Sequence, residues 1–169
     1  MGTGVYPDFV AMLVALSEES AEFLLVGAHA LAAHGIPRAT ADLDLFVRPT
    51  TRNAPRVLKA LKRFGAPLFD LSVQDLCRPD VVFQFGNPPL RIDLLTGISG
   101  VSFEEAWKDR IVTHIARVQV AVIGLEALIR NKQAAARPKD LVDVLALKQL
   151  KPLPGRRART PRRPGKPRR

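Results

Sequence analysis

The sequence predicts an α/β fold of the α+β kind, a mixed β-sheet flanked by helices. Three observations predict it. Segments with apolar residues at helical spacing interleave with short segments that are continuously apolar or alternate at period two. The interleaving lacks strict βαβ regularity, so parallel and antiparallel pairings are expected in one sheet. No internal repeat points to a solenoid.

The elements follow in order. Phe9, Met12, Leu13 and Leu16 recur at helical spacing behind Pro7 and Asp8, which predicts an opening amphipathic helix. EFLLVG reads as a short buried strand ending at Gly27, and the Ala- and Leu-rich AHALAAHG as a two-turn helix with Gly35 as its C-cap. Ile36 and Pro37 end it. DLDLFV alternates polar and apolar side chains, the pattern of a half-buried strand. Thr50 or Thr51 is the expected cap of the next helix, in which Val57, Leu58, Leu61 and Phe64 form the apolar stripe and Gly65 the stop. VVFQF and LRIDLL are two strands joined across GNPP, whose prolines exclude a standard two-residue hairpin turn. FEEAW is a short helix capped by Ser102, and IVTHIARVQVAVIG one or two further strands. LEALIRNKQAAA and, after Pro138, KDLVDVLALKQL are the closing helices.

A chain of 169 residues is expected to form one domain with a real core, here residues 1–150. One cysteine, Cys77, excludes a disulfide framework or a cysteine-based zinc site within one chain and suits a reducing compartment. No secretory signal pattern opens the sequence, and the run from Phe9 to Leu16 is far shorter than the roughly 20 residues a membrane helix needs. The expectation is a cytoplasmic protein with no membrane partner. The net charge of +10 is unevenly placed: residues 151–169 hold nine Lys or Arg, five Pro and no acid, and without them about +1 remains. Such a tail is expected to be disordered. It is either an arm that contacts RNA through counterion release or a solvated appendage.

Asp42 and Asp44 stand two apart on a predicted strand, so the pleat turns both carboxylates to one side, roughly 7 Å apart along the chain. Leu43, Leu45 and Val47 take the other side as core. Asp93 repeats this division in LRIDLL, and three strand-borne acids converge if the two strands lie close together. Three carboxylates suit Mg²⁺, a hard cation held by carboxylates together with substrate phosphates, with Mn²⁺ as an alternative. Two such ions can clamp the attacking and leaving oxygens of an in-line phosphoryl displacement. Gly27 ends a strand and opens a helix, where free backbone N–H groups and the helix dipole favour a phosphate.

LLVGAHALAAHG, RATADLDLFV, RIDLLTGISGVSFEEAW and LEALIRNKQAAARPKDLVDVLAL together resemble the minimal nucleotidyltransferases of the DNA polymerase β-like superfamily, and within it the branch of AbiEii-type toxins. The resemblance spans about residues 22–150. It implies that Asp42 and Asp44 are the metal-binding pair, that Asp93 is the third carboxylate, able to bind metal and help deprotonate an attacking hydroxyl, and that Gly27 belongs to the phosphate turn. Ala28 departs from the serine or second glycine usual there, leaving the phosphate to the backbone. Lys132 resembles a basic position able to reach the triphosphate, with Arg38, Thr40 and Lys139 as further candidates. The implied activity is transfer of a nucleoside monophosphate from a nucleoside triphosphate to an RNA, such as tRNA, or to a protein, with an antitoxin as a potential partner.

Plainer readings stand beside these. Asp42 and Asp44 can be solvated acids on an exposed strand, Asp93 can pair with Arg91, and Lys132 and Lys139 can be the wet faces of two helices. His29, His34 and His114 read as structural, and Trp107 as core or groove edge. An EF-hand fails because Val47 stands where its loop needs glycine. A phosphatase with an Asp-x-Asp nucleophile expects an apolar strand before its first acid, where Ala39, Thr40 and Ala41 stand here. The rival of another class is a binding module that keeps the fold without the activity.

Overall fold

The computed structural model describes residues 5–150; the predicted basic tail lies outside the described residues. The order is α1 (Pro7–Glu18), β1 (Phe23–Leu25), α2 (Gly27–Ala33), β2 (Asp42–Val47), α3 (Ala54–Phe64), α4 (Val73–Cys77), β3 (Val82–Phe85), β4 (Arg91–Leu95), α5 (Phe103–Lys108), β5 (Ile111–Ile115), β6 (Val118–Val122), α6 (Leu125–Ala135) and α7 (Pro138–Gln149).

The six strands form one mixed sheet in the order β3-β4-β2-β1-β6-β5. β2 pairs antiparallel with β1 and parallel with β4, while β1 runs parallel to β6 and the outer pairs β3/β4 and β5/β6 are antiparallel hairpins. The central strands are therefore buried on both sides. β1 shows this most plainly, with Phe23, Leu24 and Leu25 all buried. β2 is half-buried only at its start. Beyond Asp44 the residues Leu45, Phe46 and Val47 are all buried, because α5 covers the acid-bearing face there with Phe103, its ring 5.0 Å from that of Phe46. On the opposite face, α3 reaches the sheet through Phe64, 5.7 Å from Phe85.

Two local details differ from expectation. The N-cap position of α3 is Asn53, not Thr50 or Thr51. Asn53 is fully buried: its Nδ2 donates to Glu22 O at 2.8 Å and Arg48 O at 3.1 Å, and its Oδ1 accepts from Glu22 N at 2.7 Å. Thr50 serves Asn53 instead, its Oγ1 accepting from Asn53 N. The short helix α4 was not anticipated, although Ser72 and Asp75 form a reciprocal capping box that is legible as S-x-x-D. The expected Ser102 cap of α5 is present and is completed by Glu105.

Candidate active site

The parallel register of β2 and β4 sets Asp42 opposite Arg91 and Asp44 opposite Asp93. Paired residues of adjacent strands point to the same side, so three acids and one guanidinium rise together. Arg91 Nη2 lies 3.0 Å from Asp42 Oδ2, and Arg91 Nε 2.9 Å from Asp93 Oδ1. The second contact lacks hydrogen-bond alignment, so Asp93 Oδ1 is buried without an aligned donor. Asp93 Oδ2 accepts from Gln84 Nε2 at 3.3 Å. Asp44 forms no ion pair among the described residues, and its pKa is pushed up to about 6 by burial and then by the charges of Asp93 and Asp42.

Gly27 closes the site from the β1–α2 side. Val26 N donates to Asp44 O at 3.1 Å, which ties the end of β1 to β2. Gly27 then turns with φ +65°, and a Cβ there would stand 2.0 Å from Asp44 Oδ2. Glycine is required both by this backbone angle and by the space. Ala28 follows in the first turn of α2, where backbone N–H groups have no helical partner.

The third wall comes from α6 and α7. Lys132 is buried, its Nζ donating to Asp140 Oδ1 at 3.2 Å and Asp143 Oδ2 at 2.8 Å. It is therefore not the wet face of a helix: it lines the cavity with its charge already paired to two carboxylates. Arg137 forks onto Asp140, and Arg38 pairs with Asp143 across from the α2–β2 connection. Burial alone would raise Asp140, but the hydrogen bonds from Arg137 and Lys132 hold it below the usual carboxylate range. Thr40 is also engaged locally: its hydroxyl accepts from Asp42 N at 3.0 Å and donates to Asp42 O at 3.2 Å, which steadies the start of β2. Lys139 is exposed at the rim.

One cavity of about 500 Å³ is lined by every residue that the sequence offers for metal or nucleotide: Gly27, Ala28, Arg38, Thr40, Asp42, Asp44, Asp93, Lys132 and Lys139. Sequence reasoning missed Arg137, Asp140, Asp143, Ser99 and Asn131, which share the lining. The signal for two of them was present in inverted form. A helix reading LVDVLAL is expected to bury Leu and expose Asp, yet α7 buries Asp140 and Asp143 and exposes Leu141, Val142 and Leu145.

Among the described residues no three carboxylate, imidazole or thiolate groups are preassembled at metal-ligand spacing, and here the Arg91 guanidinium lies between two of the acids. The donor set nevertheless fits a hard divalent cation. Three carboxylates share one face, one of them keeps a buried oxygen without a donor, and their mutual repulsion is felt at Asp44.

Residues 7–152 match the profile of a family described as "Nucleotidyl transferase of unknown function (DUF2204)". The chain belongs to this family. No curated protein matches the chain in sequence. Among solved structures, the lincosamide antibiotic adenylyltransferase LnuA, lincomycin-bound, matches this nucleotidyl transferase family member with TM-score 0.55 and 11% identity over 89% of this chain and 100% of that one. The antibiotic-resistance factor ANT(2'')-Ia matches with TM-score 0.55 and 16% identity, over 83% of this chain and 80% of its own. TM1012 of Thermotoga maritima, a candidate nucleotidyltransferase, gives TM-score 0.55 and 13% identity over 85% and 92%. At these identities the likeness is one of fold, and the fold is nucleotidyltransferase-like.

Proposed function

We propose that the chain transfers a nucleoside monophosphate from a nucleoside triphosphate to a hydroxyl of an RNA or protein acceptor, releasing pyrophosphate. The observation that supports this most is the register setting Asp44 beside Asp93, next to the glycine bend at Gly27. Asp42, Asp44 and Asp93 would hold Mg²⁺ or Mn²⁺, which when bound neutralises phosphate charge and stabilises the in-line displacement. The backbone N–H groups at Gly27 and Ala28 receive a phosphate, without the help of a side-chain hydroxyl. Arg38, Arg137 and Lys139 supply the cationic wall for the outer phosphates, and Lys132 acts as a positioning residue that gathers Asp140 and Asp143 beneath two of those cations. Asp93 accepts the proton of the acceptor hydroxyl as the new O–P bond forms at the α-phosphorus and the α–β bond breaks.

The experiment is to incubate the full chain with Mg²⁺ or Mn²⁺ and each labelled nucleoside triphosphate, with tRNA and with protein acceptors. Pyrophosphate release with label on the acceptor is expected. Hydrolysis of a phosphomonoester without added triphosphate would assign a phosphatase instead. The resemblance to AbiEii-type toxins extends the proposal to a toxin–antitoxin pair: growth arrest on expression, relieved by the product of a neighbouring gene, is the expected result, and unimpaired growth under expression that yields active enzyme would remove this role.

A second reading, a binding module without transfer, is favoured by the guanidinium between Asp42 and Asp93 and by Ala28. It predicts nucleotide binding with no pyrophosphate under any of these conditions.

A further inference from the structure

Arg91 spans the acids that the proposed metal ion requires. It stands opposite Asp42 in the β2/β4 register and contacts Asp42 with Nη2 and Asp93 with Nε. A guanidinium fork matches the two oxygens of one carboxylate. Here it is divided over two, and the cost is visible in Asp93 Oδ1, which is buried yet lacks an aligned hydrogen bond. The side chain of Arg91 is 48% exposed, whereas that of Asp93 is 10% exposed. All four side chains rise from β2 and β4, but the guanidinium stands at the end of the longest of them, so Arg91 is the member that can leave the cluster by changing rotamer while its backbone stays in the sheet. Beside the acid site is a second cavity of about 320 Å³, bounded by Gly86, Pro88 and Pro89 and sharing Asp42 and Arg91 as walls.

We propose that Arg91 is a resident counter-ion that competes with the divalent cation for Asp42 and Asp93, and that metal binding turns its guanidinium out into this neighbouring cavity. The inference rests on the metal reading of the site given above. One positive charge relieves part of the repulsion among three carboxylates but holds two of them to a guanidinium too broad to bring them to a common point. A divalent ion has twice the charge and takes oxygens at about 2.0–2.1 Å. The Arg91–Asp42 pair is exposed on both sides and therefore weak, and the Arg91–Asp93 contact lacks hydrogen-bond alignment, so this exchange is accessible. The metal affinity of the site is accordingly lower than its three carboxylates alone would give.

The test is Mn²⁺ binding to the full chain, followed by electron paramagnetic resonance, for the wild type, Arg91→Met and Arg91→Lys, together with melting temperatures in chelator and in Mn²⁺. Arg91→Met is expected to bind Mn²⁺ roughly three- to tenfold more tightly, to melt below the wild type in chelator, and to gain more from added Mn²⁺. Arg91→Lys keeps the charge without the fork and should lie between the two; if Arg91→Met does not fold, the comparison of Arg91→Lys with wild type decides. Equal or weaker Mn²⁺ binding in the variants overturns the competition while leaving the metal site in place. No Mn²⁺ binding by any of the three proteins overturns both this inference and the proposed function.

Discussion

Asp44 Oδ2 occupies the place where any side chain on residue 27 would have to begin, 2.0 Å from an ideal Cβ on Gly27. A glycine on β1's exit and an acid on β2 are thus mutually dependent. Gly27→Ala must both strain a backbone at φ +65° and push the Asp44 carboxylate away. The expected result is a destabilisation of about 1–3 kcal/mol and loss of transfer even in the folded fraction. Chemical denaturation with a parallel pyrophosphate assay checks it, and wild-type turnover by this variant would contradict the proposed site.

Asp44 carries a pH signature. Its folded pKa of about 6 lies above the ordinary 3.8, so the native state binds its proton more tightly than the unfolded chain does. The stabilisation is complete below about pH 4 and is lost as pH rises through about 6, a change of up to about 3 kcal/mol. Asp44→Asn should therefore flatten the pH dependence of unfolding in chelator between about pH 4 and pH 6, the interval between the two pKa values. It should be more stable than wild type at neutral pH while losing transfer. A variant no more stable than wild type at pH 7 in chelator would show that burial of the charge costs nothing.

Lys132 is surrounded by Asp140 and Asp143, both essentially inaccessible. Lys132→Ala leaves two buried carboxylates short of a partner and is expected to cost about 3–5 kcal/mol. Adding Asp143→Asn to it should recover part of that loss, since Asp143 then keeps only Arg38 as a cationic partner among the described residues, and its buried charge is removed. Urea unfolding of the two single variants and the double variant measures the coupling; strict additivity would mean that the contact contributes no interaction energy.

Asn53 joins the start of α3 to the backbones of Glu22 and Arg48 through three hydrogen bonds of 2.7–3.1 Å. Asn53→Ala is expected to destabilise by about 1–3 kcal/mol by orphaning those groups. Transfer per folded molecule should stay at the wild-type level, because this contact is remote from the acid face. A specific loss of activity at full folding would assign it a role beyond anchoring.

Much of this was legible along the chain, and the reason is local. Period-two alternation in DLDLFV and LRIDLL already divides acids from core residues, and Gly27, Gly65 and Ser102 mark a turn, a stop and a cap by chemistry confined to a few neighbouring residues. Asn53 was overlooked because its partners at positions 22 and 48 become neighbours only when β1 and β2 pair. The surroundings of Lys132 are undetermined along the chain for the same kind of reason: whether a lysine on a helix is wet or buried depends on what packs over it, here Asp140 and Asp143 of α7.

Apart from the short helix α4 and the division of the last hairpin into two strands, the sequence by itself determined the kinds of element and their order, and it marked residues that could carry charge at a phosphate-handling site. Only the tertiary structure decided that β4 lies parallel to β2 in the register that sets Asp93 beside Asp44, that Arg91 falls between two of the acids, and that α7 turns Asp140 and Asp143 inward over Lys132. Strand partners, register and helix rotation are settled by contacts between residues far apart in the chain, where burying apolar area and pairing buried charge outweigh local preference.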